Sequence, residues 1–163
     1  MNKTLSACLL SLAALAPLSA MAEDPLVRFE GGITVDPVTA GTPPAVAAPN
    51  IVFGVNPGGQ PWVISSLSAD VSTDGRINVD GRGLLLAGGN GIGTNGAQSV
   101  RARLICGGVG GTVSDSDLVP LAANGDFAIN GSLIPTPPAP CNTPVLLIIN
   151  AQSRWFAAGI VKQ

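Results

Sequence analysis

Residues 62–85 read WVISSLSADVSTDGRINVDGRGLL, and this stretch decides the fold. Before Asp74-Gly75, Val63, Ser65, Leu67, Ala69 and Val71 fall on one face, while Ile64, Ser66, Ser68 and Asp70 fall on the other. After it, Ile77, Val79, Gly81, Gly83 and Leu85 alternate with Asn78, Asp80 and Arg82. A period of two belongs to a strand with one buried face. Asp-Gly between two such runs signals a hairpin, because the tight turns that match strand twist need a residue at positive φ. The stretch predicts two antiparallel strands joined at Asp74-Gly75.

Working outward, the same grammar continues. Residues 98–106 put Val100, Ala102 and Leu104 inward and Arg101 and Arg103 outward. LVPLAA (118–123) and FAINGSL (127–133) flank Asn124-Gly125, a second hairpin signal. PVLLIIN (144–150) is an unbroken aliphatic run, as expected of a strand buried on both faces, and RWFAAGIV (154–161) follows the short Ala151-Gln152-Ser153 turn. After residue 22 no capped amphipathic stretch of about ten residues marks a helix. The expected fold is all-β, an antiparallel sandwich of about seven strands of the immunoglobulin-like kind, with a small β-barrel as the alternative.

Upstream, Lys3, the apolar run Leu5 to Leu15 and the small-x-small site Ala20-Met21-Ala22 read residues 1–22 as a cleaved signal peptide. Residues 23–60 form an extended Pro/Ala/Gly-rich segment. Within it, VDPVTAGTPPAVAAPN (35–50) favours extended chain over helix, and LVRFEGGITV (26–35) carries β-type residues at Val27, Phe29, Ile33 and Val35 that could add an edge strand to the domain or to a partner. Residues 61–163 are the expected β domain.

The chain has 163 residues, of which 46% are hydrophobic and 11% charged; it has no His and a formal net charge of −2. Without His, the commonest general base and metal ligand is missing. So dilute and mildly negative a balance argues against nucleic acid or an anionic membrane surface as partner, since both demand clustered Lys and Arg. No run after residue 22 reaches the ~20 apolar residues of a membrane span, so no transmembrane segment is expected in the mature chain. Cys8 leaves with the signal segment. Cys106 and Cys141 remain, and in an exported chain an even pair reads as a disulfide.

Several motifs carry a chemical reading beside a plain one. Gly91-x-Gly93-x-x-Gly96 spells the dinucleotide fingerprint, but residues 98–106 read as a strand where a helix would have to open, so GGNGIGTNG (88–96) is a Gly/Asn-rich loop. DVSTDGRIN (70–78) resembles the start of a calcium loop of the EF-hand or dockerin type, which implies oxygens from Asp70 and Asp74 around the ion. Position 12 of that pattern is Gly81, with Asp80 one step early, so the candidate calcium site is Asp70, Asp74 and Asp80; the plain reading is a hairpin turn with solvated aspartates. Apart from this calcium no cofactor is expected.

Trp62 is a candidate stacking platform for a sugar ring, whereas Trp155 sits in an apolar run and reads as core. Arg82, Arg101 and Arg103 form either cross-strand ion pairs or a surface for anionic ligands. Asp115 and Asp117 are a tight carboxylate pair within the expected β domain, the opening there for a hydrolase that works through acids alone. The Gly-x-Ser-x-Gly elbow is absent.

The expected function is non-catalytic. It is an exported structural or protein-interaction module, periplasmic or extracellular, that meets another protein or itself through a sheet edge or an apolar surface. The alternative is a ligand-binding module for glycan or calcium.

Overall fold

A computed structural model describes residues 24–39 and 48–163. The expected signal peptide, 1–22, and residues 40–47 of the Pro-rich segment lie outside the described residues. In chain order the strands are β1 (Pro25–Thr34), β2 (Val38–Thr39), β3 (Ala48–Pro49), β4 (Trp62–Val63), β5 (Ser66–Ser72), β6 (Arg76–Arg82), β7 (Leu85–Leu86), β8 (Ser99–Cys106), β9 (Thr112–Asp115), β10 (Val119–Pro120), β11 (Phe127–Ser132), β12 (Val145–Asn150) and β13 (Trp155–Val161). There is no helix among the described residues, so the all-β expectation holds.

One antiparallel sheet of nine strands carries the fold, in the order β10-β8-β12-β13-β1-β5-β6-β11, with β9 also paired to β8. The two end strands, β10 and β11, approach each other. Between them the Asn124-Gly125 turn is closed by Ala122 N–H to the Asp126 carbonyl at 2.9 Å. Beside it, the Asp115 and Ile134 backbones exchange two hydrogen bonds of 3.0 and 2.9 Å. The sheet is thus nearly closed, and of the two expected architectures it takes the barrel-like one. Closure satisfies backbone groups that an open sheet would leave at its edges.

The β5–β6 hairpin forms as its alternation requires. Leu67, Ala69, Val71, Ile77 and Val79 are buried, and the residues between them face out. Gly75 supplies the positive φ of the turn, +88°, and its N–H donates to the Ser72 carbonyl at 3.0 Å. Gly81 lies directly opposite Phe127, and a Cβ there would stand within 3 Å of the Phe127 ring. The register slips at both ends of the run. Gly83 (φ +64°) resets the phase, so Leu84 and Leu86 are buried in place of Leu85. On the other side Trp62 is buried and Val63 exposed, because β4 leaves the main sheet to pair with β7. Alternation alone does not see a residue that shifts register.

β1 corrects the expectation of an edge strand. It sits in the interior of the sheet, paired to β13 on one side and β5 on the other, with Phe29 buried in the core. The Pro-rich chain after it returns to the sheet. Val35 N–H donates to the Phe156 carbonyl at 2.9 Å, and residues 56–58 bracket Trp155 through Trp155 N–H to Asn56 (3.0 Å) and Gly58 N–H to Trp155 (2.9 Å).

β12 is buried on both faces as its composition predicts. Leu146 and Ile148 share the inner face with Leu104 and Ala102, directly opposite them on β8. Leu147 and Ile149 share the outer face with Arg103 and Arg101, whose side chains are only 17% and 24% exposed. The Arg103 head is held by Asp115, and the Arg101 Nε is buried without a hydrogen-bond partner. The Cys106–Cys141 disulfide forms, tying the Pro-rich chain that follows β11 to the end of β8.

Candidate functional site

The aspartates of the calcium reading do not converge. Asp70 and Asp80 face out from neighbouring strands of the hairpin, and Asp74 lies past them in the turn. Each is engaged by an arginine: Asp70 by Arg28 at 2.6 Å, Asp74 by Arg76 at 3.3 Å and Asp80 by Arg82 at 2.8 Å. An EF-hand loop wraps its oxygens around one centre, whereas a hairpin spaces them along a ribbon. Among the described residues no group of three or more His, Cys, Asp or Glu is placed to hold a metal ion.

The arginines of the anion reading are similarly engaged. Arg103 grips Asp115, directly across from it on β9, with two hydrogen bonds of 2.7 Å, and Arg101 lies 3.9 Å from the same carboxylate. This pairing raises the pKa of Arg103. Arg82 spans Asp80 and Asp126, and its pKa is raised chiefly by Asp80. Asp126 is held below the ordinary aspartate value, first by the Gly83 N–H and then by Arg82 and Asn124. Arg103–Asp115 is a cross-strand pair, whereas Arg82 takes its nearer partner, Asp80, from its own strand. Asp115 is bound in the Arg103 fork and Asp117 is exposed, so the first of this pair is already held by a cation.

Of the candidate ligand residues, Asp70 borders a polar hollow with Arg28, Glu30 and Lys162, and Trp62 lines a pocket with an aromatic wall. An open cavity of about 280 Å³ is bounded by Gly58, Gly59, Gln60, Trp62, Leu86 and Phe156 on one side. Gly96, Gln98, Asn150 and Arg154 complete it. Its floor is the Trp62–Phe156 pair, stacked with ring centroids 4.1 Å apart and planes 18° from parallel. Trp62 is 5% exposed, so it serves as a wall of the pocket instead of an open platform. Two glycines keep the space clear. A Cβ on Gly58 would stand 2.9 Å from Phe156, and one on Gly96 3.3 Å from Leu86 and 3.5 Å from Trp62.

Opposite the aromatic floor, Asn150 organises the rim. Its Oδ1 accepts from the N–H groups of Gln152 and Arg154, at 3.0 and 2.9 Å, and its Nδ2 donates to Gln98 Oε1 at 3.0 Å. Gln98 Nε2 in turn donates to the Gly96 carbonyl at 3.0 Å. The turn between β12 and β13 is therefore clipped to the loop that precedes β8. That loop is pinned as well, since Asn95 Nδ2 donates to the Leu121 carbonyl at 2.7 Å. The GGNGIGTNG segment is thus a hydrogen-bonded wall beside the pocket, with no helix opening from it.

Two donors at this site have no protein partner among the described residues. The Trp62 indole N–H makes no hydrogen bond, whereas that of Trp155 donates to the Asn50 carbonyl at 2.9 Å. Arg154 has no carboxylate partner, although Arg28, Arg76, Arg82, Arg101 and Arg103 all have one. Arg154 is also the only charged residue in the lining. The pocket combines an apolar aromatic wall, amides and an unneutralised cation, a composition suited to holding a small molecule.

Sequence reasoning singled out Trp62 and missed Arg154, Gln98, Asn150 and Phe156. One signal was present: no Asp or Glu follows Asp126, so Arg154 has no acid near it in sequence, unlike Arg76 beside Asp74 or Arg82 beside Asp80. No protein-family model, no curated protein and no solved structure matches the chain.

Proposed function

We propose that the chain is an exported, non-catalytic module that works by binding, and that the pocket floored by Trp62 and Phe156 holds its ligand. The carrying observation is this pocket, in which an unpaired indole N–H and an unpaired guanidinium accompany an aromatic floor on a scaffold clipped together by Asn150. Its volume lies just below the usual range for ligand sites, which suits a single ring or a short acid more than an oligomer. Export, to the periplasm or beyond, is supported by the signal-like segment 1–22 and by a disulfide of the kind that persists in oxidising compartments. Of the two roles expected from composition, ligand capture is the one this geometry favours.

The test is a thermal-shift and tryptophan-fluorescence screen of monosaccharides, sugar acids and aromatic acids, run beside Gly59→Leu. Gly59 lines the pocket and a Cβ there meets nothing within 4 Å, so a leucine adds bulk at the lining without displacing the fold. We expect hits that Gly59→Leu abolishes. A screen with no hit, or hits indifferent to Gly59→Leu, would overturn the reading.

A second role, contact with another protein, is favoured by the apolar rim at the disulfide end. Val109 there is 86% exposed, and Phe53, itself partly exposed, lies against the same glycine loop at Gly108. Light scattering should then show an assembly that Val109→Asp dissolves; a monomer at all concentrations would remove this role.

A further inference from the structure

Resting on that binding reading, we infer that the pocket selects a small organic carboxylate, with the acid group on Arg154 and the Trp62 N–H and the body of the molecule against the aromatic floor. The balance of donors and acceptors argues for an acid over a neutral molecule. Two of the three side-chain amide oxygens in the lining are already engaged: Asn150 Oδ1 by two backbone N–H groups, and Gln98 Oε1 by Asn150. What remains open is donor-rich: the Trp62 indole N–H, the five N–H groups of Arg154 and the Gln60 NH2 stand against one side-chain acceptor, the Gln60 amide oxygen. A neutral sugar hydroxyl gains from a site that both gives and takes hydrogen bonds, whereas a carboxylate only accepts.

Charge points the same way. The lining holds one formal charge, positive, and no carboxylate to cancel it. Elsewhere every described arginine has an aspartate, and Arg103 shows what this fold does with a guanidinium fork, seating both oxygens of one carboxylate at 2.7 Å. A ligand carboxylate at Arg154 would supply the partner that the chain itself does not. The backbone of Arg154 is fixed, its N–H by Asn150 Oδ1 and its carbonyl by the Asn150 N–H at 2.9 Å, while its side chain is exposed. Trp62 and Phe156, 5% and 3% exposed, present little apolar surface to the space, which equals that of roughly nine waters.

Calorimetric titrations test the inference with two acids and their uncharged counterparts: benzoate with benzamide, and glucuronate with glucose. The acids distinguish an aromatic from a sugar source of the same carboxylate chemistry. At least one acid should bind about tenfold or more tightly than its counterpart. Arg154→Gln should erase that ratio with the melting temperature unchanged, and Arg154→Lys should keep part of it as a point charge without the fork. If the uncharged partners bind as well as the acids and Arg154→Gln changes nothing, the carboxylate inference falls while the pocket stands. If none of the four binds, the carboxylate inference falls as well. Should the wider screen also give no hit that Gly59→Leu abolishes, the pocket reading falls with it.

Discussion

The two hairpins β5–β6 and β12–β13 share antiparallel pairing but use their polar groups in opposite ways. In β5–β6 each exposed acid meets a basic side chain within the sheet, Asp70 with Arg28 and Asp80 with Arg82, and the Asp74-Gly75 turn closes on itself. In β12–β13 the turn is organised by one buried amide, Asn150, and its only cation, Arg154, lines a pocket and has no acid partner among the described residues. The first hairpin is internally satisfied and reads as scaffold. The second keeps an unmet requirement, and that is the feature from which binding follows.

Perturbations should separate them, and the largest effect lies between them, at the disulfide. Cys106→Ser with Cys141→Ser should cost about 4 kcal/mol by the chain-entropy estimate for the enclosed loop, read from urea unfolding; a change below about 1 kcal/mol would show that closure of the sheet already confines the loop. Next, Leu147→Ala, on the outer face of β12 yet fully buried, should cost about 3 kcal/mol. Asn78→Ala, outward on β6, should stay within about 0.5 kcal/mol. Equal costs would break the distinction between a strand covered on both faces and one covered on a single face.

The turns themselves should differ by less. Asn150→Ala removes three hydrogen bonds from a buried side chain and should cost about 2 kcal/mol. It should also weaken any pocket ligand. Asp74→Ala should cost about 0.5 kcal/mol. The smallest effect concerns pH. Asp126 has a folded pKa below the unfolded value of about 3.9. Its contribution is therefore complete above that value and is lost as pH falls through the folded one. The urea midpoint should decline across that acidic window, and Asp126→Asn should flatten its share of the decline. An identical profile in the variant would deny Asp126 that role.

Much of the fold was legible because its signal is local. The burial of Leu67, Ala69, Val71, Ile77, Val79, Val100, Ala102 and Leu104 follows from period two, the turns at Asp74-Gly75 and Asn124-Gly125 from positive-φ chemistry, and the double burial of β12 from an unbroken aliphatic run. The misses lie where register changes, at Val63 and Leu85, or where pairing is remote, as for β1, whose neighbours β5 and β13 come from distant parts of the chain. The site was harder still. Trp62 was visible as an aromatic at a strand start, but its stacking on Phe156 and the clip from Asn150 to Gln98 join residues far apart in sequence, which alternation does not encode.

Alone, the amino-acid order determined the class: all-β, one disulfide, and a chemistry without histidine. These depend on residue type and near-neighbour spacing. Only the tertiary structure decided that the sheet nearly closes, that the N-terminal strand lies inside it, and which charges meet. The last point turned a scatter of aspartates and arginines into neutralised pairs and left Arg154 exposed beside an aromatic floor. Whether a guanidinium is satisfied depends on what folding brings within about 3 Å of it, and no spacing along the chain states that distance.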